Sequence, residues 1–367
     1  MAKYRGAVIG LGWMGMLYDL AARLDDRFEI EDTDRPTPAL DVHRRFHHFE
    51  HPGESGIPTS YCEALVDHPD TELVAAADRD VKRLDVFKAR YGLDAAYTDA
   101  AEMLNTEKPD IVAVATNTQG RADLTCLAVA CGAKGIMTEK PMAHTLDEAD
   151  RMVSTCAAAG AALNCGSITT TDPSFAHAKQ MIREGAIGKV TSIEAPGAGA
   201  QHQNWMYFLD SDPAWVCGIG DGPRRDSGSS EFIGQGILVT GDGTVVHFRR
   251  GSPQVRISGE QGEILFNRGG LYQWELWQVV AGAAKPAPVR MPWPDPQFLA
   301  PYGGVYALKD VMDCLAGELD EPKNSGRRVA AALEVEIALK ESSRQGGTQV
   351  ALPLEDRSLG MHYDWFR

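Results

Sequence analysis

The stretch Tyr4-Arg5-Gly6-Ala7-Val8-Ile9-Gly10-Leu11-Gly12-Trp13-Met14-Gly15 decides the fold. An apolar run closes on glycines spaced Gly-x-Gly-x-x-Gly, the turn that follows the first strand of a parallel α/β sheet. Gly10 permits the tight turn, Gly12 lets a pyrophosphate approach the backbone, and Gly15 lets helix and strand pack closely. The loop, with Trp13 and Met14 inside it, would then present its amides to an anion at a helix N-terminus. Glycine triplets also occur in ordinary turns. Placement directly behind a strand at residue 10 is what gives this one meaning.

Outward from that loop, strands alternate with helices. Glu72 to Ala77 reads as a strand ending at Asp78, and Asp80 to Tyr91 as a helix with Leu84 and Phe87 on one face. Ile111 to Ala115 is a continuous apolar run of the kind buried on both faces. Ala122 to Cys131 reads as a helix ended by Gly132, and Ile136 to Glu139 as the next strand. Thr145-Leu146-Asp147-Glu148 has the form of a capping box opening a helix to about Ala159. A strand follows from Ala161 to Cys165. This alternation predicts an α/β domain with a parallel sheet over residues 1–141.

Residues 142–367 read as an α+β domain. A helix spans about Ser174 to Glu184, and hairpin signals follow at Gly241-Asp242-Gly243 and Ser258 to Glu263. A last helix runs from Val329 to Arg344, closed by Gly346-Gly347. One polar stretch, about 25–60, is rich in proline, histidine and charge and interrupts the helix after the glycine loop. It could serve as a lid or an oligomer contact. Metal binding by His43, His47 and His48 finds no clear ligand set, so no metal is expected.

Composition narrows the partners. A net charge of −15 repels a phosphate backbone, so nucleic acid is not expected. No apolar run reaches the ~18 residues of a membrane span. Seven cysteines with no Cys-x-x-Cys pair argue against a disulfide framework or a zinc site. The first strand begins too early to leave room for a signal peptide, and the chain reads as cytoplasmic.

Asp78 closes the second strand, where a carboxylate accepts from a ribose 2′-hydroxyl. It sits 63 residues beyond Gly15, and the inserted stretch accounts for the excess over the usual ~20. This favours NAD. Arg79 beside it could stack on adenine or tolerate NADP. Glu139-Lys140-Pro141 ends the fifth strand and turns a lysine into the crevice where such sheets bind ligands.

The glycine loop, Ala77-Asp78, the run Pro109 to Thr116, Glu139-Lys140-Pro141, Ile182 to Val190 and the alanine-rich last helix together resemble the glucose–fructose oxidoreductase / inositol dehydrogenase (Gfo/Idh/MocA) family. The resemblance covers essentially the whole chain. It implies a Rossmann domain and a second domain with a large open, mostly antiparallel sheet, through which members form homodimers or homotetramers. It implies NAD(P)-dependent oxidation or reduction of a sugar, cyclitol or glycoside. Lys140 would move the proton of the reacting hydroxyl, and Thr116, Asn117 and Glu139 would line the cofactor pocket.

Two departures stand out. The family's Asp-x-x-x-His acid/base motif matches only at His202, because the acid's position holds Ala198. Arginine is absent at Thr169 and Thr170, which suits a neutral substrate. Asp172 reads either as a helix cap or as a sugar contact. The late aromatic residues, Trp205 and Trp274 among them, read as sheet packing or as sugar-stacking surfaces. Two further readings are redox-assisted glycoside cleavage with NAD used transiently, and a non-enzymatic dinucleotide sensor.

Overall fold

The computed structural model describes residues 3–19, 58–166, 169–199, 203–220, 232–249, 252, 254–267, 273–280, 287–294 and 303–361. Two compact units emerge. One comprises Met1–Ala143, Glu148–Thr171 and Ala300–Gly326; the other His144–Asp147, Asp172–Leu299 and Arg327–Arg367.

The first unit holds six parallel strands: β1 (Tyr4–Ile9), β2 (Thr71–Ala77), β3 (Ala96–Tyr97), β4 (Ile111–Val114), β5 (Gly135–Thr138) and β6 (Ala162–Cys165). Their order is β3-β2-β1-β4-β5-β6, the doubly wound arrangement of dinucleotide folds. Every residue of β4 and β5 is buried, as their unbroken apolar runs require. The helices are α1 (Tyr61–Asp67), α2 (Val81–Tyr91), α3 (Ala100–Glu107), α4 (Arg121–Ala130) and α5 (Leu146–Ala159). Asp80 and Asp99 cap α2 and α3 by accepting from Lys82 N and Glu102 N.

A helix from far down the chain, α7 (Gly304–Ala316), completes this core. Its Ala307, Leu308 and Val311 pack among Val8, Leu65 and Met137. Gly135 makes room for it, since a Cβ there would lie 2.5 Å from Val311 Cγ1. A single cut after residue 141 therefore does not describe the chain. Glu148–Thr171 extends the parallel sheet by another helix and strand, and α7 finds the partner for its apolar face here.

The polar stretch expected at 25–60 lies outside the described residues up to position 57. Its exit is well defined. The buried Asp19 carboxylate accepts from Thr59 N at 3.0 Å and from Ser60 N at 2.6 Å. Thr59 O in turn accepts from Gly304 N at the start of α7.

The second unit contains nine strands: β7 (Val190–Ala195), β8 (Pro213–Gly220), β9 (Gly234–Thr240), β10 (Val245–Phe248), β11 (Val255–Gly259), β12 (Gly262–Asn267), β13 (Gln273–Val279), β14 (Pro288–Met291) and β15 (Val350–Ala351). The order is β14-β13-β12-β11-β7-β10-β9-β8-β15. Its pairs are antiparallel except β7 with β10. Both hairpins predicted from glycine turns are present, β9–β10 and β11–β12. Helices α6 (Pro173–Arg183) and α8 (Gly326–Arg344) belong to this unit. Phe175 of α6 meets the rings of Trp274 and Phe266 edge-on at 4.9 and 5.0 Å. Trp205 and Trp274 are both fully buried, so these two aromatics are core packing rather than exposed stacking surfaces. At the capping box, Leu146 N and Asp147 N donate to Leu359 O and Arg357 O, so backbone carbonyls fill these first amides of α5.

Candidate dinucleotide and lysine site

Strand register gathers the site. Ala77, Ile9, Val114, Thr138 and Cys165 are direct neighbours across β2, β1, β4, β5 and β6. The residues one step beyond that row are Asp78, Gly10, Ala115, Glu139 and Gly166. Asp78, the glycine loop, Thr116-Asn117 and Glu139-Lys140 therefore emerge side by side at the carboxyl edge of the sheet, where open α/β sheets bind ligands.

The three glycines are bare for different reasons. Gly10 has φ +91°, and a Cβ on it would meet Ala115 C at 3.0 Å. A Cβ on Gly15 would lie 1.9 Å from Gly10 O. Protein packing thus accounts for both. Gly12 has an ordinary φ of −73° and only Arg83 Nη1, at 3.9 Å, near its Cβ position. Among the described residues nothing requires a glycine there. A bare position of this kind leaves the backbone open to close approach, as a pyrophosphate-binding loop needs. Trp13 and Met14 continue the loop as a π-helical turn, Trp13–Leu17.

Asp78 is held in place. Its Oδ2 accepts from Leu11 N at 2.6 Å and its Oδ1 from Asp80 N at 2.8 Å. Arg79 is exposed beside it.

The turn carrying Lys140 is clamped from below. Glu139 is 7% exposed; its Oε1 accepts from Tyr61 OH at 2.6 Å and its Oε2 from Lys140 N at 3.2 Å. The carboxylate expected to line the cofactor pocket is thus engaged by the turn itself. The Lys140–Pro141 peptide is cis. Beneath it lies Arg121, 1% exposed. Its guanidinium donates to Glu139 O at 2.6 Å, and also to Pro141 O and Thr116 O. Burial lowers its pKa to about 10, with the nearby Glu139 carboxylate opposing the shift. One cation thereby ties the end of β4 to both sides of Lys140. Sequence reasoning missed it. The available signal was a single cation opening a largely small-residue helix behind Thr116-Asn117. Thr116 Oγ1 donates to Asn117 O, and Asn117 is exposed.

In the second unit, Asp172 is 1% exposed and caps α6, accepting from Ser174 N at 2.9 Å. His202 lies outside the described residues. A buried carboxylate nevertheless stands near the stretch that precedes it. Glu336 of α8 accepts from Phe232 N at 3.1 Å and lies 3.0 Å from a Cβ built on Gly199. Among the described residues no group of three or more His, Cys, Asp or Glu could hold a metal, and no helix is long and apolar enough to cross a membrane.

A parallel sheet in this order, a glycine loop shaped for a pyrophosphate and a lysine at the same edge define the class of dinucleotide-binding oxidoreductase domains. Residues 53–167 match the family described as "Oxidoreductase family, NAD-binding Rossmann fold" (GFO_IDH_MocA). Residues 53–167 are thus similar to the NAD-binding domain of the Gfo/Idh/MocA family. It is 34% identical over 129 residues to D-apiose dehydrogenase of Paraburkholderia graminis, covering 35% of this chain and 34% of that protein. It is 31% identical over 137 residues to myo-inositol 2-dehydrogenase of Thermotoga maritima, covering 37% and 41%. The chain thus aligns over a third to two-fifths of these relatives. An oxidoreductase from Agrobacterium radiobacter, solved in complex with NAD+, L-tartaric acid and magnesium, shares the fold. That match has a TM-score of 0.65 and 18% identity, and covers 95% of this chain and 98% of that one.

Proposed function

We propose that this chain is an NAD(P)-dependent dehydrogenase acting on a secondary hydroxyl of a sugar, cyclitol or glycoside. The observation that carries the reading is the common edge formed by the glycine loop, Asp78 and Lys140, each one or two residues beyond a single row of paired strand residues. The similarity to dehydrogenases of D-apiose and myo-inositol supports the substrate class. A nicotinamide dinucleotide bound on the loop supplies the hydride acceptor or donor.

The chain's residues do the rest. The loop amides and Gly12 receive the pyrophosphate, and Asp78 accepts from the adenosine ribose. Thr116 and Asn117 border the nicotinamide end. Lys140, fixed by Arg121 and Glu139, hydrogen-bonds the reacting hydroxyl and takes its proton. His202 assists in that proton transfer. Asp172, buried as a helix cap, is given no part. Partner copies of the chain would associate into a homodimer or homotetramer.

The test is a panel of polyols, aldoses and glycosides with NAD and NADP, read as dinucleotide reduction at 340 nm. Lys140→Ala should lose at least about a hundredfold in kcat, the general acid–base share of the reaction, while keeping dinucleotide affinity. Turnover retained in that variant would remove Lys140 from the chemistry. A panel with no reduction by the wild type would defeat the reading.

A further inference from the structure

We infer that Tyr61 is a positioning residue for Lys140, acting on it through Glu139; this rests on the reading above, in which Lys140 takes the substrate proton. Tyr61 is fully buried in the apolar cluster that also holds Val8, Leu65, Met137 and Leu308. A bare phenyl ring would suit that cluster, so its packing does not explain the hydroxyl. A buried phenol needs an acceptor. The main-chain Thr138 O lies 3.2 Å away, yet the shorter bond, 2.6 Å, goes to Glu139 Oε1.

Three links carry the position of that hydroxyl to the lysine. The first fixes its backbone. Tyr61 opens α1, and Ser60 caps that helix by accepting from Glu63 N. Ser60 N and Oγ donate to the buried Asp19 carboxylate at 2.6 and 2.5 Å. With its ring packed in the core, the phenol oxygen is then held in one place. The second link is the carboxylate. Glu139 Oε1 accepts from Tyr61 while Oε2 accepts from Lys140 N at 3.2 Å, so one rigid plane joins the phenol to the lysine amide. The third is the strand end. Thr138 O lies within reach of the Tyr61 hydroxyl and accepts from Gly166 N at 2.6 Å. Arg121 grips main-chain carbonyls on either side of Lys140. Tyr61 instead orients the side chain that bonds the lysine's own amide. Deleting the hydroxyl takes that donor from Glu139 Oε1 and lets the carboxylate turn away from Lys140 N. A base must lie within hydrogen-bond reach of the proton it takes, and a displacement of about 1 Å costs up to about a hundredfold in rate.

Tyr61→Phe keeps the ring and deletes the hydroxyl. Steady-state kinetics of the full chain, with NAD and the polyol of the panel above that the wild type oxidises fastest, test the inference. The variant should lose about ten- to a hundredfold in kcat. Its KM and its calorimetric Kd for NAD should change by less than about threefold. In a Lys140→Ala background the same substitution should cost less than about twofold, because its effect passes through the lysine. Should Tyr61→Phe not fold, Glu139→Gln cuts the same link from the other side and is read in the same two backgrounds. A kcat kept within about twofold of wild type overturns the inference. So does a loss equally large with and without Lys140, the mark of a role in packing alone. A wild type that binds no dinucleotide refutes the underlying reading, and the role of Tyr61 with it.

Discussion

Replacing Arg121 with methionine keeps an unbranched stem and removes every donor. Three carbonyls, of Thr116, Glu139 and Pro141, then lose a charged partner inside the protein. Hydrogen bonds to charged groups contribute about 1.5–3 kcal/mol each, and part of that sum is offset because the guanidinium no longer has to be desolvated. Breaking a buried charged network by removing one partner costs about 3–5 kcal/mol, and that is the expected loss here. For a unit of this size, about 2–4 °C per kcal/mol places the drop in melting temperature at roughly 6–20 °C. Thermal unfolding followed by far-UV circular dichroism reads it, with and without NAD. Arg121→Lys should fall between wild type and Arg121→Met, because an ammonium lacks the fork that reaches three acceptors. If Arg121→Met melted within about 2 °C of wild type, a change worth no more than about 1 kcal/mol, the clamp would not be holding the lysine turn.

The two glycines at the loop separate fold from ligand. Gly15→Ala should unfold the loop and abolish dinucleotide binding, because its Cβ would fall on Gly10 O. Gly12→Ala should melt like wild type yet bind NAD at least about tenfold more weakly, read by calorimetry. Asp19→Asn puts an amide against the Thr59 and Ser60 N–H groups and should cost about 2–4 kcal/mol in denaturant unfolding. Burial pushes the Asp110 carboxyl up, but the Arg5 amide and the Lys134 ammonium outweigh it and hold it below its ordinary value. A depressed carboxylate stabilises the fold above its unfolded pKa and loses that contribution as pH falls through the folded one. Asp110→Asn should therefore lower the melting temperature at neutral pH, with the difference shrinking as pH falls into that acid range.

The parallel half of the fold was legible because its signals are local. Apolar runs ending in Gly10, Asp78 and Lys140 name both strand and edge. Arg121 was not legible because its partners are backbone carbonyls, which any sequence supplies. α7 was not named from the sequence, and the assignment of 142–367 to one domain left no place for it in the parallel-sheet unit. Asp172 read first as a cap and second as a sugar contact, and the bond from Ser174 N at 2.9 Å shows the cap. The absence of an acid at Ala198 was plain, whereas Glu336, 138 residues further on, carries no mark that would bring it to Gly199.

Asp19 has a consequence for how this chain can vary. One carboxylate receives Thr59 and Ser60, so two points of the chain forty residues apart are joined at a fixed socket. Joining the ends of about forty intervening residues costs closure entropy that changes by only ~0.6 kcal/mol when their number doubles or halves. Closure at this socket is therefore little affected by the number of residues between its two ends. Position 19–59 is a port into which segments can be exchanged or grafted, provided Asp19 and the two amides that meet it are kept.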